Sequence, residues 1–519
     1  MITCILVYLA GNLLGSWCVL MVISTTCLMG ALLRVIIPVL IMSRKLAHLP
    51  GPQNRRLISG QGDYLNKLTT PGRNTMLMDV WMEWAKKYGP LFHYRLYHKH
   101  VVPIVYGPDA IKKVLHDVDN TRYVFQNALK FYQGLRMIGD KGMLLTPYNE
   151  AWRIKKSILR QFLNPRHIVS NESTMLRIID RSLSNASRGT LGTLGTCKDE
   201  VSVMEDCGEF VVDNILELFQ AITSDIMGEC LFNKDFGCSS RVETDTSDIA
   251  KMYAQIARES YSVLADPTRR LPFRKLAVKR QTCRNILKVR RTARNIIEKG
   301  SPLTDQFLEA FEEIEDIIDD INSILFAGQD TTSNALFYAI SNIAHSKDVT
   351  EWLREEIEQV SDTASWTEIN NLPRLDAVIK ETLRLYPSAP LTMRTLHKDH
   401  EICGLRVPKG STMWISPYTA GRNPQIWENS TTFIPQRFLG LDMKNVPKCD
   451  YFPFMAGPHE CSGKHFALME IKLVIFHTLK RYTLELLDET IPYPKLAITM
   501  HPGKRVKIKF TKLTSESQV

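Results

Sequence analysis

One cysteine in this chain sits where chemistry is to be expected. Cys461 closes the aromatic, turn-rich run Tyr451-Phe452-Pro453-Phe454-Met455-Ala456-Gly457-Pro458-His459-Glu460, and an amphipathic helical pattern opens at Lys464. A thiol just ahead of a helix N-terminus meets exposed backbone N–H groups and the positive end of the dipole, which favour thiolate. A thiolate is a nucleophile or a metal ligand, and a cysteine in the same place can also be mere packing. No Cys-x2-Cys, His-Glu-x-x-His or Cys-x-x-Cys-His accompanies it, so zinc, iron–sulfur and covalently attached c-type heme lack their partners. A second candidate is the acid–alcohol pair Asp330-Thr331, preceded by Ala327-Gly328, whose small side chains leave room beside a helix. Its plain alternative is a threonine bonded to its own i−4 carbonyl. Glu381 and Arg384 are spaced i, i+3 and share a helix face, so they can pair.

These residues need elements to hold them. Helical periodicity with capping signals predicts helices over Asp79–Tyr88, Glu150–Leu163, Glu205–Leu231, Ser247–Ala265 and Lys279–Lys299. Further helices are predicted over Thr304–Ser346, Thr350–Val360, Leu375–Tyr386 and Gly463–Tyr482. Short β-branched runs at His100–Val105, Ile402–Val407, Thr412–Ile415 and Arg505–Phe510 predict small sheets. The fold class is mainly α with small β-sheets, in one large catalytic domain over residues 60–519.

Before that domain, Met1 to Leu33 contains no charged side chain and exceeds the ~20 apolar residues that a spanning helix needs. Arg34, Arg44, Lys45, Arg55 and Arg56 follow it, so the positive-inside rule puts the N-terminus in the lumen and the remainder in the cytosol. Residues 1–43 are expected to be a transmembrane anchor of single-pass type and 44–59 a basic, proline-containing linker. That topology leaves the sequons at Asn171, Asn185 and Asn429 unglycosylated. The eleven cysteines, an odd number over 519 residues, exclude a small disulfide scaffold and suit a reducing compartment. The net charge of +10 averages over segregated blocks. Basic residues crowd Arg269–Lys299, and Asp305, Glu309, Glu312, Glu313, Glu315, Asp316, Asp319 and Asp320 follow without one base. Two solvated helix faces compensating each other is the preferred reading, ahead of docking to acidic headgroups or an acidic protein. Nucleic acid is not expected, because aromatics and glycines do not alternate with the basic side chains, Phe273 being the single aromatic among them.

The pattern Phe454-x-x-Gly457-x-x-x-Cys461-x-Gly463 resembles the heme-ligand loop of the cytochrome P-450 family. Glu381-Thr382-Leu383-Arg384 resembles that family's Glu-x-x-Arg helix, and Phe433-Ile434-Pro435-Gln436-Arg437-Phe438 its Phe-x-Pro-x-Arg-Phe segment. Ala327-Gly328-Gln329-Asp330-Thr331-Thr332 resembles the oxygen-activating stretch of its long central helix. Each motif is weak alone, but the four stand in the right order and at the right separations. The anchor and proline hinge resemble those of microsomal members.

The resemblance implies a P-450 fold, with a long central helix over a heme and a proximal cysteine loop. Cys461 is then the axial ligand of the iron in heme b, a thiolate that favours O–O cleavage over reversible O₂ binding. Gly457 and Gly463 are expected to let the backbone pass close to the porphyrin and the helix end, where a Cβ would clash, with Phe454 in the same loop. Asp330 and Thr331 become a proton relay for oxygen activation. Arg437 joins Glu381 and Arg384 in a buried ion network. The propionates fall to Trp152, Lys156, Arg394 and His459, with Lys156 and His459 departing from the commoner arginine. The implied activity is oxidation of a lipophilic small molecule (sterol, steroid or fatty acid) at the endoplasmic reticulum membrane. Electrons would come from NADPH through a separate flavoprotein reductase, with cytochrome b5 as a further partner. A same-fold isomerase or lyase needing no reductase, and a non-enzymatic heme-binding membrane protein, are the rivals. Candidate wall positions are Ala327, Thr331 and Ala389–Thr392.

Overall fold

The computed structural model describes residues 36–53, 74–96, 99–116, 121–123, 141–146, 149–189, 208–240, 248–265, 276–441 and 449–513, together with Thr25, Gly30, Gln61 and Gly139. Most of the expected anchor and linker lie outside these residues. No helix among the described residues is long and apolar enough to cross a membrane.

A helix over Ile314–His345 runs through the core, and it is buried almost without interruption from Ile317 to Ile343. It packs against the helices Ile215–Phe232, Leu276–Lys299, Pro373–Leu385 and Lys464–Leu479. The central helix and Lys464–Leu479 are buried on nearly all sides, polar residues such as Asp320, Asp330, Glu470 and Lys472 included. Helices over Leu77–Tyr88, Pro108–His116, Glu150–Phe162, Glu172–Ser187 and Lys347–Glu358 surround this core. The β structure is peripheral. A five-stranded sheet in the order β1-β2-β8-β5-β3 is made of β1 (Tyr94–Leu96), β2 (Lys99–Ile104), β3 (Thr121–Tyr123), β5 (Thr392–Leu396) and β8 (Thr412–Ile415). Only its β2–β8 pairing is parallel, with Val101 opposite Thr412. A three-stranded sheet sets β12 (Ile508–Lys512) between β4 (Glu209–Val212) and β9 (Tyr482–Leu486). Two hairpins, β6 (His400–Ile402) with β7 (Leu405–Val407) and β10 (Lys495–Leu496) with β11 (Met500–His501), complete it.

Beyond shifts of a few residues at element ends, four differences from the sequence reading have a local reason. The helix expected over Thr304–Ser346 is two, Pro302–Ala310 and Ile314–His345, because Phe311 takes an extended conformation and sets its ring beneath Lys155 Nζ at 5.2 Å. The helix expected from Glu205 is the strand β4 after Gly208 (φ +63°), and helix begins only at Ile215. The strand expected over Ile402–Val407 is the β6–β7 hairpin, turned by Cys403 and Gly404 at φ +52° and +72°, as a tight two-residue turn requires. Tyr482, expected to end the last helix, begins β9.

The charge blocks compensate one another only in part. Arg290 pairs with Glu315 and Asp319, and Arg294 with Glu315, joining the helix Leu276–Lys299 to the central helix. Asp319 and Asp320 are not solvated, being 6% and 0% exposed. Asp319 Oδ2 accepts from Lys141 N at 3.0 Å and Asp320 Oδ1 from Met143 N at 2.8 Å. Lys155 Nζ lies 2.8 Å from Asp320 Oδ2 as a buried ion pair. The acids thus clamp residues 141–143 against the central helix.

Candidate active site

The cysteine loop is wound tightly by its own backbone. Met455 and Gly457 take φ of +62° and +73°, Gly457–His459 forms a 3-10 turn, and Cys461 N donates to Phe454 O at 2.9 Å. A Cβ on Gly457 would stand 2.4 Å from Leu115 O, so this glycine serves the turn and its approach to the helix Pro108–His116. At Gly463, with an ordinary φ of −88°, a Cβ would meet Leu163 Cδ1 at 3.8 Å and Cys461 Sγ at 4.0 Å, which is normal contact. Within the polypeptide, then, a side chain at Gly463 would be accommodated. Phe454 is half-buried against the main core.

Cys461 is deeply surrounded by the fold, yet the residue keeps accessible surface. Burial raises its pKa above the usual thiol value, outweighing the Gly463 N–H bond and the nearby Lys156 and Lys464 ammonium groups. The thiolate expected from the helix N-terminus alone is therefore not what the polypeptide favours. Desolvation wins over the dipole.

On the central helix, only Ala327, Gly328 and Thr331 break the burial between Ile317 and Ile343. Their spacing (i, i+1, i+4) puts them on one face. The room beside Gly328 is filled, since a Cβ there would lie 2.3 Å from Met227 Sδ on the neighbouring helix. Ala327 and Thr331 keep the opening. Thr331 Oγ1 donates to Ala327 O at 2.7 Å, and its own carbonyl accepts from Ser388 Oγ at 2.7 Å. Asp330 is 4% exposed, and its Oδ2 accepts from Thr499 Oγ1. Burial raises the Asp330 carboxyl to about 6, against the smaller opposing pull of Thr499 and Arg258. Acid and alcohol are thus neighbours on the helix with separate hydrogen bonds. Thr499 lies between β10 and β11, and Met500 N donates to Ser388 O at 2.9 Å, so the hairpin tip, Ser388 and the Asp330-Thr331 turn form one bonded unit. Sequence reasoning did not find Ser388 or Thr499, which carry no motif.

Glu381 and Arg384 are 0% and 1% exposed. Arg384 Nε and Nη2 donate to Glu381 Oε2 and Oε1 at 2.7 and 2.8 Å, a bidentate pair. Arg437 Nε reaches Glu381 Oε1 at 3.1 Å and Ile434 N reaches it at 2.8 Å. Arg384 also donates to the carbonyls of Gly421, Ser430 and Thr432, tying the helix Pro373–Leu385 to the segment 421–437.

Trp152, Lys156 and His459 meet one another. Lys156 Nζ donates to Pro458 O and, at 2.8 Å, to Glu460 O, and it lies 4.8 Å from the centre of the Trp152 ring. That ring lies tilted against the His459 imidazole, with centroids 4.5 Å apart. Burial lowers Lys156 to about 8 and, with Arg394 and Lys156 nearby, holds His459 down at about 3, so the imidazole is neutral. Arg394 is 2% exposed on β5, with Nη1 on Thr392 Oγ1 and Met393 O at 3.0 and 2.8 Å. Two buried cations therefore converge on His459, and no carboxylate pairs with Lys156 among the described residues. An accessible cysteine within the fold, the accessible positions Ala327 and Thr331 on one helix face and the buried Arg394 cation fit a metal-bearing prosthetic group with acidic substituents.

The family model for Cytochrome P450 matches residues 64–510. Rabbit (Oryctolagus cuniculus) Cytochrome P450 3A6 is 37% identical over 185 residues, 35% of this chain and 37% of its own length. Human (Homo sapiens) Cytochrome P450 4V2 is 35% identical over 175 residues, 33% of each chain. Across 90% of both chains, Cytochrome P450 4F3 of Rattus norvegicus is 24% identical over 514 residues. The higher-identity matches thus span only about a third of the relatives' length, whereas the family model spans most of the chain. This chain belongs to the cytochrome P450 family.

Proposed function

We propose that the protein is a membrane-bound heme-thiolate monooxygenase acting on a lipophilic small molecule, with electrons from NADPH delivered by a separate reductase. The observation that carries this reading is Cys461, which keeps accessible surface although set within the fold, in a protein whose central helix keeps accessible, unfilled positions at Ala327 and Thr331. Heme b held by Cys461 would supply oxygen activation and one-electron chemistry, which no side chain here can provide. Arg394 and Trp152 suit its acidic substituents by charge and by an indole N–H. His459, held neutral, can offer one ring N–H but no charge.

The chain's own part is to shape the opening and manage a proton. Ala327 and the Thr331 methyl form an apolar wall, which suits a lipophilic substrate. With its proton on Ala327 O, Thr331 Oγ1 keeps its lone pairs free to accept, and rotation about the Cβ–Oγ1 bond would release that proton for transfer. Asp330, at about 6, holds or releases a proton near neutrality one residue away. Membrane attachment is supported by the helical residues 36–45, where Ile37, Leu40 and Ile41 are 48%, 48% and 49% exposed beside Arg44 and Lys45. The expectation is a single-pass protein of the endoplasmic reticulum with a cytosolic catalytic domain.

A reduced, carbon-monoxide-bound difference spectrum tests the ligand. A thiolate-type Soret band that disappears in Cys461→Ala supports the reading, and its absence from the unmodified protein ends it. A sterol, steroid and fatty-acid screen with and without reductase then separates a monooxygenase from a reductase-independent isomerase or lyase.

A further inference from the structure

We propose that Lys156 is a positioning residue that struts the cysteine loop, and that its ammonium is not a contact for the acidic substituents of the cofactor. This rests on the heme-thiolate reading above and concerns how the ligand loop is held. Lys156 Nζ donates to two carbonyls of the loop, Pro458 O and Glu460 O, which flank His459 and lie three and one residues before Cys461. The residue is 5% exposed, so these bonds are shielded from water. Its Nζ sits 4.8 Å over the Trp152 ring, which in turn packs tilted against His459 with centroids 4.5 Å apart. The three side chains form a brace from the helix Glu150–Phe162 to the loop, closed on both its carbonyl and its imidazole side.

The chain needs such a brace. Cys461 N is held by Phe454 O and Glu460 N by Gly457 O, but Pro458 has no N–H to give, so the turn over Pro458–Glu460 lacks one backbone donor. A charge-assisted bond is about twice as strong as a neutral one, and a tetrahedral ammonium can serve two carbonyls at once. Two of its three donors are spent on the loop, and the third faces the indole.

Lys156→Met keeps the stem and volume and removes the donors, and Lys156→Gln serves as a second variant that keeps one donor group. Each protein would be loaded with heme and, in parallel, with heme dimethyl ester, which lacks free carboxylates. Release of either group to a scavenging apoprotein would be followed by absorbance. The strut predicts about tenfold faster release in Lys156→Met, equally with heme and with its ester, and a growing share of the neutral-thiol band over the thiolate-type band. In the cofactor-free proteins it predicts faster amide hydrogen exchange at Glu460 and Cys461, with circular dichroism unchanged. An effect confined to free-carboxylate heme would overturn the proposal and make Lys156 an anion contact. Release, bands and exchange within twofold of the unmodified protein would also overturn it. An unmodified protein without a thiolate-type band would instead refute the heme-thiolate reading itself, and the exchange measurement on the cofactor-free proteins would still decide the strut.

Discussion

Replacing Glu381 by alanine should leave a protein that is made but fails to take up its cofactor. The carboxylate is completely buried and accepts four hydrogen bonds, two from Arg384, one from Arg437 and one from the Ile434 N–H. Removing it strands the Arg384 guanidinium, itself 1% exposed, with only neutral carbonyls around it. Breaking a buried pair from one side costs roughly 3–5 kcal/mol. The orphaned Ile434 N–H adds about 1–3 kcal/mol if no water reaches it. A total of about 4–8 kcal/mol consumes most of a typical stability of roughly 5–15 kcal/mol. The three carbonyl bonds of Arg384 set the lower end, since the cation is not stripped of partners. Glu381→Gln should be milder, because one amide oxygen can still serve Arg437 and Ile434 while the NH2 faces the Arg384 donors. Soluble yield, thermal unfolding and heme content of the purified variants would be compared with Arg384→Ala. A Glu381→Ala protein with a full heme complement and an unfolding midpoint within a degree or two of the parent would refute this argument.

Other outcomes follow from single contacts. Glu470 is fully buried, both its carboxyl oxygens lack a hydrogen-bond partner, and burial pushes its pKa well up. An acid held neutral in the fold binds its proton more tightly than the unfolded chain does, so stability falls as pH rises above ~4.3. Glu470→Leu should stabilise by about 1–3 kcal/mol, the gain growing with pH, and a destabilised Leu variant at pH 8 would count against it. Gly457→Ala combines φ of +73° with a Cβ 2.4 Å from a backbone carbonyl, and should cost more than about 2 kcal/mol in denaturant unfolding, whereas Gly463→Ala should cost less than about 1 kcal/mol. Asp330 at about 6 lies roughly two units above its usual value, which is about 3 kcal/mol of stability lost between pH ~4 and ~6. Asp330→Asn should remove that part of the pH dependence of unfolding, and Thr331→Ala should divert NADPH consumption from product to peroxide.

What the sequence displayed of this architecture was whatever has a local cause. The helix around Trp152 announces itself by periodicity and its Asn149 cap, that around Glu381 by periodicity and Pro373 in its first turn, and the pairing of Glu381 with Arg384 by an i, i+3 spacing. The helix from Lys464, expected to be amphipathic, is instead buried on nearly all sides. The Asp319 and Asp320 carboxylates were misjudged because charge is a sequence property and burial is not. Their partners, the amides of Lys141 and Met143, are about 180 residues upstream and have no side-chain signature. The same holds for Thr499, which finds Asp330 across 169 residues through a hairpin with two paired residues per strand. Gly328 was assigned to a ligand because small residues on one helix face suggest space, but a flexible Met227 on a facing helix occupies it, and only packing could reveal that.

The thiol of Cys461 shows most clearly why position on an element is not enough. A helix N-terminus favours an anion by roughly 0.3–1 kcal/mol at an exposed site, up to ~2 kcal/mol in a favourable partly buried one. Desolvating a thiolate costs several times that, and here it prevails over one N–H bond and two ammonium groups. The polypeptide therefore pre-forms a site for sulfur without committing the sulfur to charge. A metal cation deprotonates a coordinating thiol outright, so the missing charge balance lies with the group to be bound. On that view Lys156, Lys464 and the Gly463 amide do not create the thiolate. If the proposed metal group binds there, they would lower the cost of taking its proton away.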